Sequence, residues 1–273
     1  MIASDRKILN KILKTLDYEE NEILYERIRE LSSQDPDPFS DLNIADMLHT
    51  ACMTESIPKD LAGLIIKYYL KAARDEKTRA VAYNNLGALY YSGRTGSRDY
   101  QKAAEYYEKS AHEGYAVANE NLAYIYYYGQ GTEVDYEKAY YYFSRAALLG
   151  RCEATYRIGD MFRYGRYVSK DENMTRESYI RAEELLRKDY MSFDTVTGDV
   201  YKRLGDLFYE GIGIDKDPDR AYECYQRSER GYYEQIRCGN QYVEESLKAV
   251  YDRIDELKKV IRADLPTLEW TKI

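Results

Sequence analysis

The chain has 273 residues, a net charge of −8, 44% hydrophobic and 32% charged side chains, and only five prolines. That is too much apolar material for a disordered chain, and no long alternating run suggests a β-protein. No cluster of Lys and Arg stands out, which argues against a nucleic-acid partner, whose affinity would rest on neutralised phosphates.

Residues 1–31 place Ile8, Leu9, Ile12, Leu13 and Leu16 on one helical face, with Lys7, Lys11 and Lys14 beside it. Such a helix can lie on a membrane, but Asp17, Glu19, Glu20 and Glu22 soon cancel the basic bias, so an N-terminal capping helix is the better reading. No apolar run has the length of a signal peptide or a membrane span, and a cytoplasmic location is expected. Residues 32–41 (SSQDPDPFSD) read as a turn-rich linker. A degenerate helix pair is expected over 42–79, its first helix in 42–53 and its second from Leu61 to Ala73.

From residue 80 onward one phrase recurs. It reads YNNLGALYYSG at 83–93, NENLAYIYYYG at 119–129, TYRIGDMFRYG at 155–165 and YKRLGDLFYEG at 201–211. The anchors Leu86, Leu122, Ile158 and Leu204 are spaced by 36, 36 and 46 residues. An aromatic follows four residues later at Tyr90, Tyr126, Phe162 and Phe208, which is the spacing of one buried helical stripe. Gly93, Gly129, Gly165 and Gly211 end this first helix. Six residues on, Asp99, Asp135, Asp171 and Asp217 predict the N-cap of a second helix, which is expected to stop at Gly114, Gly150 and Gly231.

The repeats are therefore 80–115, 116–151, 152–196 and 197–232. Gly87, Ala123, Gly159 and Gly205 keep one mid-helix position small, where glycine costs roughly 1 kcal/mol against alanine. Close approach of a neighbouring helix backbone is the expected reason. About ten extra residues in 183–196 predict a longer helix and wider loop, or a projection that meets a partner. Beyond them, Val243, Leu247, Val250, Ile254, Leu257 and Ile261 predict a closing helix within the C-terminal segment 233–273.

This pattern resembles the Sel-one-like repeat family, relatives of the tetratricopeptide solenoids. The likeness rests on Ala80, Ala82, Leu86, Gly87, Tyr90, Gly93, Asp99, Lys102, Ala103, Tyr106, Tyr107, Lys109, Ala111 and Gly114 in the first clear repeat. It continues from Ala116 through Gly129, Asp135, Lys138 and Ala139 to Gly150 in the second. The third departs from the pattern, with Met174 and Thr175 where Lys-Ala is usual. The resemblance implies an all-α, right-handed superhelix of helix-turn-helix repeats with capping helices. It also implies a protein-interaction or scaffold role. Some relatives are β-lactam hydrolases, but they carry a cysteine pair in each repeat, which this chain lacks. A structural subunit of a larger complex is the other alternative.

Nothing in the sequence assembles a catalytic site, a metal site or a cofactor cradle. His49 and His112 stand in different repeats, and Gly129-Gln130-Gly131 and Gly211-Ile212-Gly213 follow helices and lack the phosphate-loop lysine. Cys52, Cys152, Cys224 and Cys238 have no zinc spacing and read as free thiols, although Cys224 and Cys238 could face each other across a helical hairpin. The unusual feature is 32 tyrosines against five phenylalanines. In tetratricopeptide-like solenoids the first helices line the concave surface. By that resemblance the exposed, partner-binding positions are expected to be Asn84 and Tyr91, then Glu120, Tyr124 and Tyr127. The set continues with Tyr156, Asp160, Arg163 and Tyr164, then Lys202, Asp206 and Tyr209. Tyrosine offers broad contact with little entropy to lose, so the expected ligand is a segment of another protein. The same tyrosines could instead be half-buried packing residues.

Overall fold

The computed structural model describes residues 5, 7, 38–50, 59–94, 96–188 and 193–264, and among these every regular element is helical. In chain order they are α1 (Pro38–Thr50), α2 (Lys59–Ala72), α3 (Glu76–Ser92), α4 (Tyr100–His112), α5 (Ala116–Tyr128) and α6 (Tyr136–Leu148). Then come α7 (Cys152–Tyr164), α8 (Glu172–Lys188), α9 (Phe193–Glu210), α10 (Pro218–Arg237), a 3-10 turn (Gln241–Val243) and α11 (Glu244–Asp264). The chain divides into two compact units, 1–139 and 140–273, with the boundary inside α6. In the first unit α1 packs on α2, α2 on α3, α3 on α4 and α4 on α5. In the second the same succession runs from α7 to α11. This is the all-α repeat of helix pairs that the sequence predicts.

The hairpins share local chemistry. The Asp99, Asp135, Asp171 and Asp217 side chains each accept the N–H three residues on, at 2.9–3.0 Å, and so satisfy free donors of the second helix. Each cap also donates its own N–H to the carbonyl of Tyr90, Tyr126, Phe162 or Phe208, which fixes the turn. Lys102 sits over the Tyr90 ring, Lys138 over Tyr126 and Arg220 over Phe208. Where Met174 replaces the cation, the Phe162 ring takes the edge of Tyr140 at 6.1 Å. That ring contact gives the third repeat's departure a physical setting.

The small mid-helix position has a different cause from the one expected. A Cβ on Gly87, Gly159 or Gly205 would lie 2.6 Å from the ring of Tyr107, Tyr179 or Tyr225 respectively, so a tyrosine ring of the second helix, not a helix backbone, fills the space. True backbone contact occurs elsewhere. Gly231 is buried within α10, and a Cβ there would stand 2.4 Å from the Gly198 nitrogen. The helix does not stop at Gly231 but runs to Arg237, because this glycine serves packing and not termination.

Other expectations need correction at their edges. Cys224 and Cys238 lie on one helix and its cap, about 21 Å apart along the axis, and cannot pair. Helix α1 starts at Pro38, inside the stretch expected as a linker, since proline suits a first helical turn. The extra residues of the third repeat lengthen α8 and α9 to 17 and 18 residues, while 189–192 lie outside the described residues. Most of the N-terminal 1–31 and Cys52 also lie outside them; Asp5 is buried, accepting from Lys67 at 2.7 Å and from Tyr68. Val243 is buried at the end of the 3-10 turn, and Leu247, Val250, Ile254 and Leu257 are buried along α11.

Candidate partner-binding surface

The first helices carry the twelve residues singled out for binding. In α3 and α5, Asn84, Glu120 and Tyr127 are buried, at 7%, 5% and 6% exposure. Asn84 accepts from Asn121 at 3.1 Å and donates to Asn85, so its amide ties one first helix to the next. The ring of Tyr127 meets Tyr128 and Tyr136 edge-on. Tyr91 and Tyr124 are half-buried, Tyr91 against Tyr100 and Tyr124 stacked on Tyr128 at 5.9 Å. Tyr128, just past the expected set, is 54% exposed.

In α7 and α9 the correction is larger. Tyr156, Asp160 and Asp206 are buried, at 1%, 5% and 8%. Arg203 lies 4.0 Å over the Tyr156 ring and grips both oxygens of Asp160, at 2.8 and 2.7 Å. Reciprocally, Arg163 of α7 donates to Asp206 at 3.1 Å and to Glu210 at 2.7 Å in α9, and Lys202 approaches Asp206 at 3.3 Å. The Tyr179 and Tyr225 hydroxyls donate to Asp160 and Asp206 from the second helices. Burial opposes the charge on Asp160, yet Arg203, with help from Arg157 and Tyr179, holds its pKa below the ordinary carboxylate value. Tyr209 is half-buried, donating to Glu256 at 2.9 Å beneath Arg253.

Six of the twelve expected contact residues, Asn84, Glu120, Tyr127, Tyr156, Asp160 and Asp206, are thus interior. Within each unit the first helices meet, α5 with α3 through Asn121–Asn84 and α9 with α7 through Arg203–Asp160, and these buried polar groups would be unstable without such partners. Tyr164 is the member of the set that stands clear. It is 51% exposed, with the guanidinium groups of Arg163 and Arg166 at 5.4 and 5.5 Å from its ring. Tyr167, in the turn that follows, is 55% exposed and rests on Tyr140.

The residues the sequence reading missed are Asn85, Asn121 and Arg203, each directly before a repeat's leucine anchor. All three reach back to the preceding first helix, Asn85 to Asp46 at 2.8 Å, Asn121 to Asn84 and Arg203 to Asp160. A polar residue kept beside each buried anchor was the available signal.

The Sel1 repeat profile matches residues 80–115, 116–150, 152–187 and 200–231, just over half of the chain. The chain belongs to the Sel1 repeat family. Its fold is similar to that of a Sel1 repeat protein from Oxalobacter formigenes, at 24% identity and a TM-score of 0.60, with 81% of this chain and 85% of that one covered. It is also similar to c5321, a protective antigen of uropathogenic Escherichia coli strains displaying an SLR fold, at 23% identity and a TM-score of 0.51. That match covers 85% of this chain but only 56% of the antigen. No curated protein matches in sequence.

Among the described residues no group of His, Cys, Asp and Glu is arranged to hold a metal ion, and no helix is long and apolar enough to cross a membrane. Cys152 is buried, and burial raises the Cys224 thiol to a pKa of about 12, so neither is set up as a nucleophile.

Proposed function

We propose that this Sel1 repeat protein is a binding module for a segment of another protein, acting by capture and not by catalysis. Contact is made through Tyr164, at the C-terminal end of α7, and Tyr167 in the turn that follows. Membership of a family whose repeats generally bind proteins supports this role. The observation that carries the surface is Tyr164, an aromatic half in solvent whose ring is already held by two arginines. An ordered, exposed tyrosine loses little entropy when a partner covers it, which is the property that makes this residue type an interface hot spot. The free thiols fit a reducing, cytoplasmic setting.

The test is affinity capture from the native host with the wild-type chain and a Tyr164→Ala/Tyr167→Ala variant of unchanged circular dichroism. The expected result is one enriched partner that the variant loses. Retention of the same partner by both baits would place binding away from these tyrosines.

A further inference from the structure

Two described residues near the start of the chain carry an orientation. Asp5 and Lys7 are both helical, yet Asp5 is 2% exposed and Lys7 stands in solvent. Asp5 accepts from the Lys67 ammonium at 2.7 and 2.9 Å and from the Tyr68 hydroxyl at 3.3 Å, so its carboxylate rests on α2. A lone side chain laid on the convex side of a helix keeps one flank in water. Enclosure of Asp5 therefore requires further chain around it, and chain termini hold a place only when tied down in such a way.

Helix α2 departs from the later second helices at this spot. Its buried Tyr69 takes the place of Tyr107, Tyr179 and Tyr225, which puts Lys67 where they carry Glu105, Glu177 and Glu223. Tyr68 is buried, whereas its counterparts Tyr106 and Tyr142 are half-buried. A cation in place of a glutamate, beside an enclosed hydroxyl, suits one carboxylate. Lys71, one turn on, is already engaged by Asp41 of α1 at 3.4 Å.

The same two residues set the phase of the N-terminal pattern. At helical spacing Ile8, Leu9, Ile12, Leu13 and Leu16 follow Asp5 at i+3, i+4, i+7, i+8 and i+11, which are positions of one face. Lys11 and Lys14 follow the exposed Lys7 at i+4 and i+7, on the opposite face. Asp5 falls near the centre of the apolar stripe, and Arg6 at its edge. Residues 8–16 themselves lie outside the described residues.

We infer that the outward face of α2 around Lys67 and Tyr68 is a docking surface for the chain's own N-terminal segment. Residues 5–16 lie on it as a helix, with Ile8, Leu9, Ile12, Leu13 and Leu16 turned to the first helix pair and the lysines turned to solvent. The Asp5–Lys67 ion pair is the latch. Both of its members belong to one chain, which favours this segment over the helix of another protein. Apolar contact supplies the attraction, and the buried carboxylate, costly without Lys67, selects the one register in which the pair closes. While the segment is docked, this side of the first helix pair is closed to other partners. The Tyr164 surface plays no part in it.

The test is hydrogen exchange on the full chain, with the amides of α3 to α5 as an internal reference. In wild type the amides of 8–16 are expected to exchange at least about a hundred-fold more slowly than an unstructured chain. Asp5→Asn and Ile12→Asp are each expected to speed that exchange at least about ten-fold while α3 to α5 keep their protection. Lys11→Asp, on the outer face, is expected to change it by less than about two-fold, and Tyr164→Ala to leave it unchanged. Unstructured-chain rates over 8–16 in wild type, unchanged protection in Asp5→Asn, or equal losses from Lys11→Asp and Ile12→Asp overturn the inference. So does protection that falls on dilution together with a dimer in light scattering, which would make a second copy's segment the occupant.

Discussion

Asn121 in the first unit and Arg203 in the second occupy the same repeat position, and both reach back to the preceding first helix. Their chemistry differs. Asn121 makes a single amide contact to Asn84 at 3.1 Å, whereas Arg203 closes two hydrogen bonds on a buried aspartate. One repeat architecture therefore accepts either a neutral or an ionic tie at one place, provided a matching partner stands on the preceding first helix. The role is held by geometry, and the residue type sets only how much is lost when the tie is cut.

That difference predicts the largest effect. Arg203→Met leaves Asp160 buried without its main counter-charge and is expected to destabilise by about 3–5 kcal/mol, whereas Asn121→Ala is expected to cost about 1 kcal/mol. Urea unfolding, with hydrogen exchange to locate the loss in α7 and α9, checks both. Comparable losses from the two variants would mean that the ionic tie has no special weight.

Gly231→Ala comes next, at about 1–3 kcal/mol, since its Cβ has no room beside the Gly198 backbone. Gly63 of α2 is the control in the first unit. It is exposed with nothing within 4 Å of a Cβ, and alanine there is expected to stabilise by about 0.5–1 kcal/mol. Thermal melts of the two variants should move in opposite directions.

The ties also differ in their response to pH. Arg203 holds the folded pKa of Asp160 below the ordinary carboxylate value, so the unfolded chain takes up the proton first as acid is added. Its contribution is complete above about pH 4 and is lost as pH falls through the lower folded value. Wild type is expected to lose more stability than Asp160→Asn over that acid window, while the Asn84–Asn121 tie adds no slope. Parallel acid titrations of wild type and Asp160→Asn would refute the assignment.

The hairpins were legible because their signals are local. Leu86, Leu122, Ile158 and Leu204 repeat on one face, and each capping aspartate bonds within its own turn. The candidate surface was less legible because exposure is decided between repeats. Asp160 and Asp206 read as solvated charges until Arg203 and Arg163 arrive from helices more than 40 residues away. Gly231 misled for a similar reason, since Gly198, which makes a small residue necessary, lies on the facing helix. Tyr164 is exposed where it stands, as the last residue of α7.

The smallest predicted effect concerns one turn with two solutions. Gly131 and Gly213 follow their capping glycines with φ of 71° and 61°, and Tyr167 adopts φ 68° at the same place. The left-handed conformation costs a tyrosine about 1–2 kcal/mol that glycine does not incur. Tyr167→Gly relieves that strain but gives up the ring contact with Tyr140 at 5.7 Å, worth about 0.5–1.5 kcal/mol, and adds about 0.5–1 kcal/mol of unfolded-chain entropy. These terms nearly cancel, so the variant is expected to stay within about 1 kcal/mol of wild type. Gly213→Ala, by contrast, adds strain and drives a Cβ to 2.7 Å from the Glu172 carbonyl, and is expected to lose more. If Tyr167→Gly is clearly stabilising, the ring contributes little to the fold, and its place at the exposed end of α7 is better explained by binding.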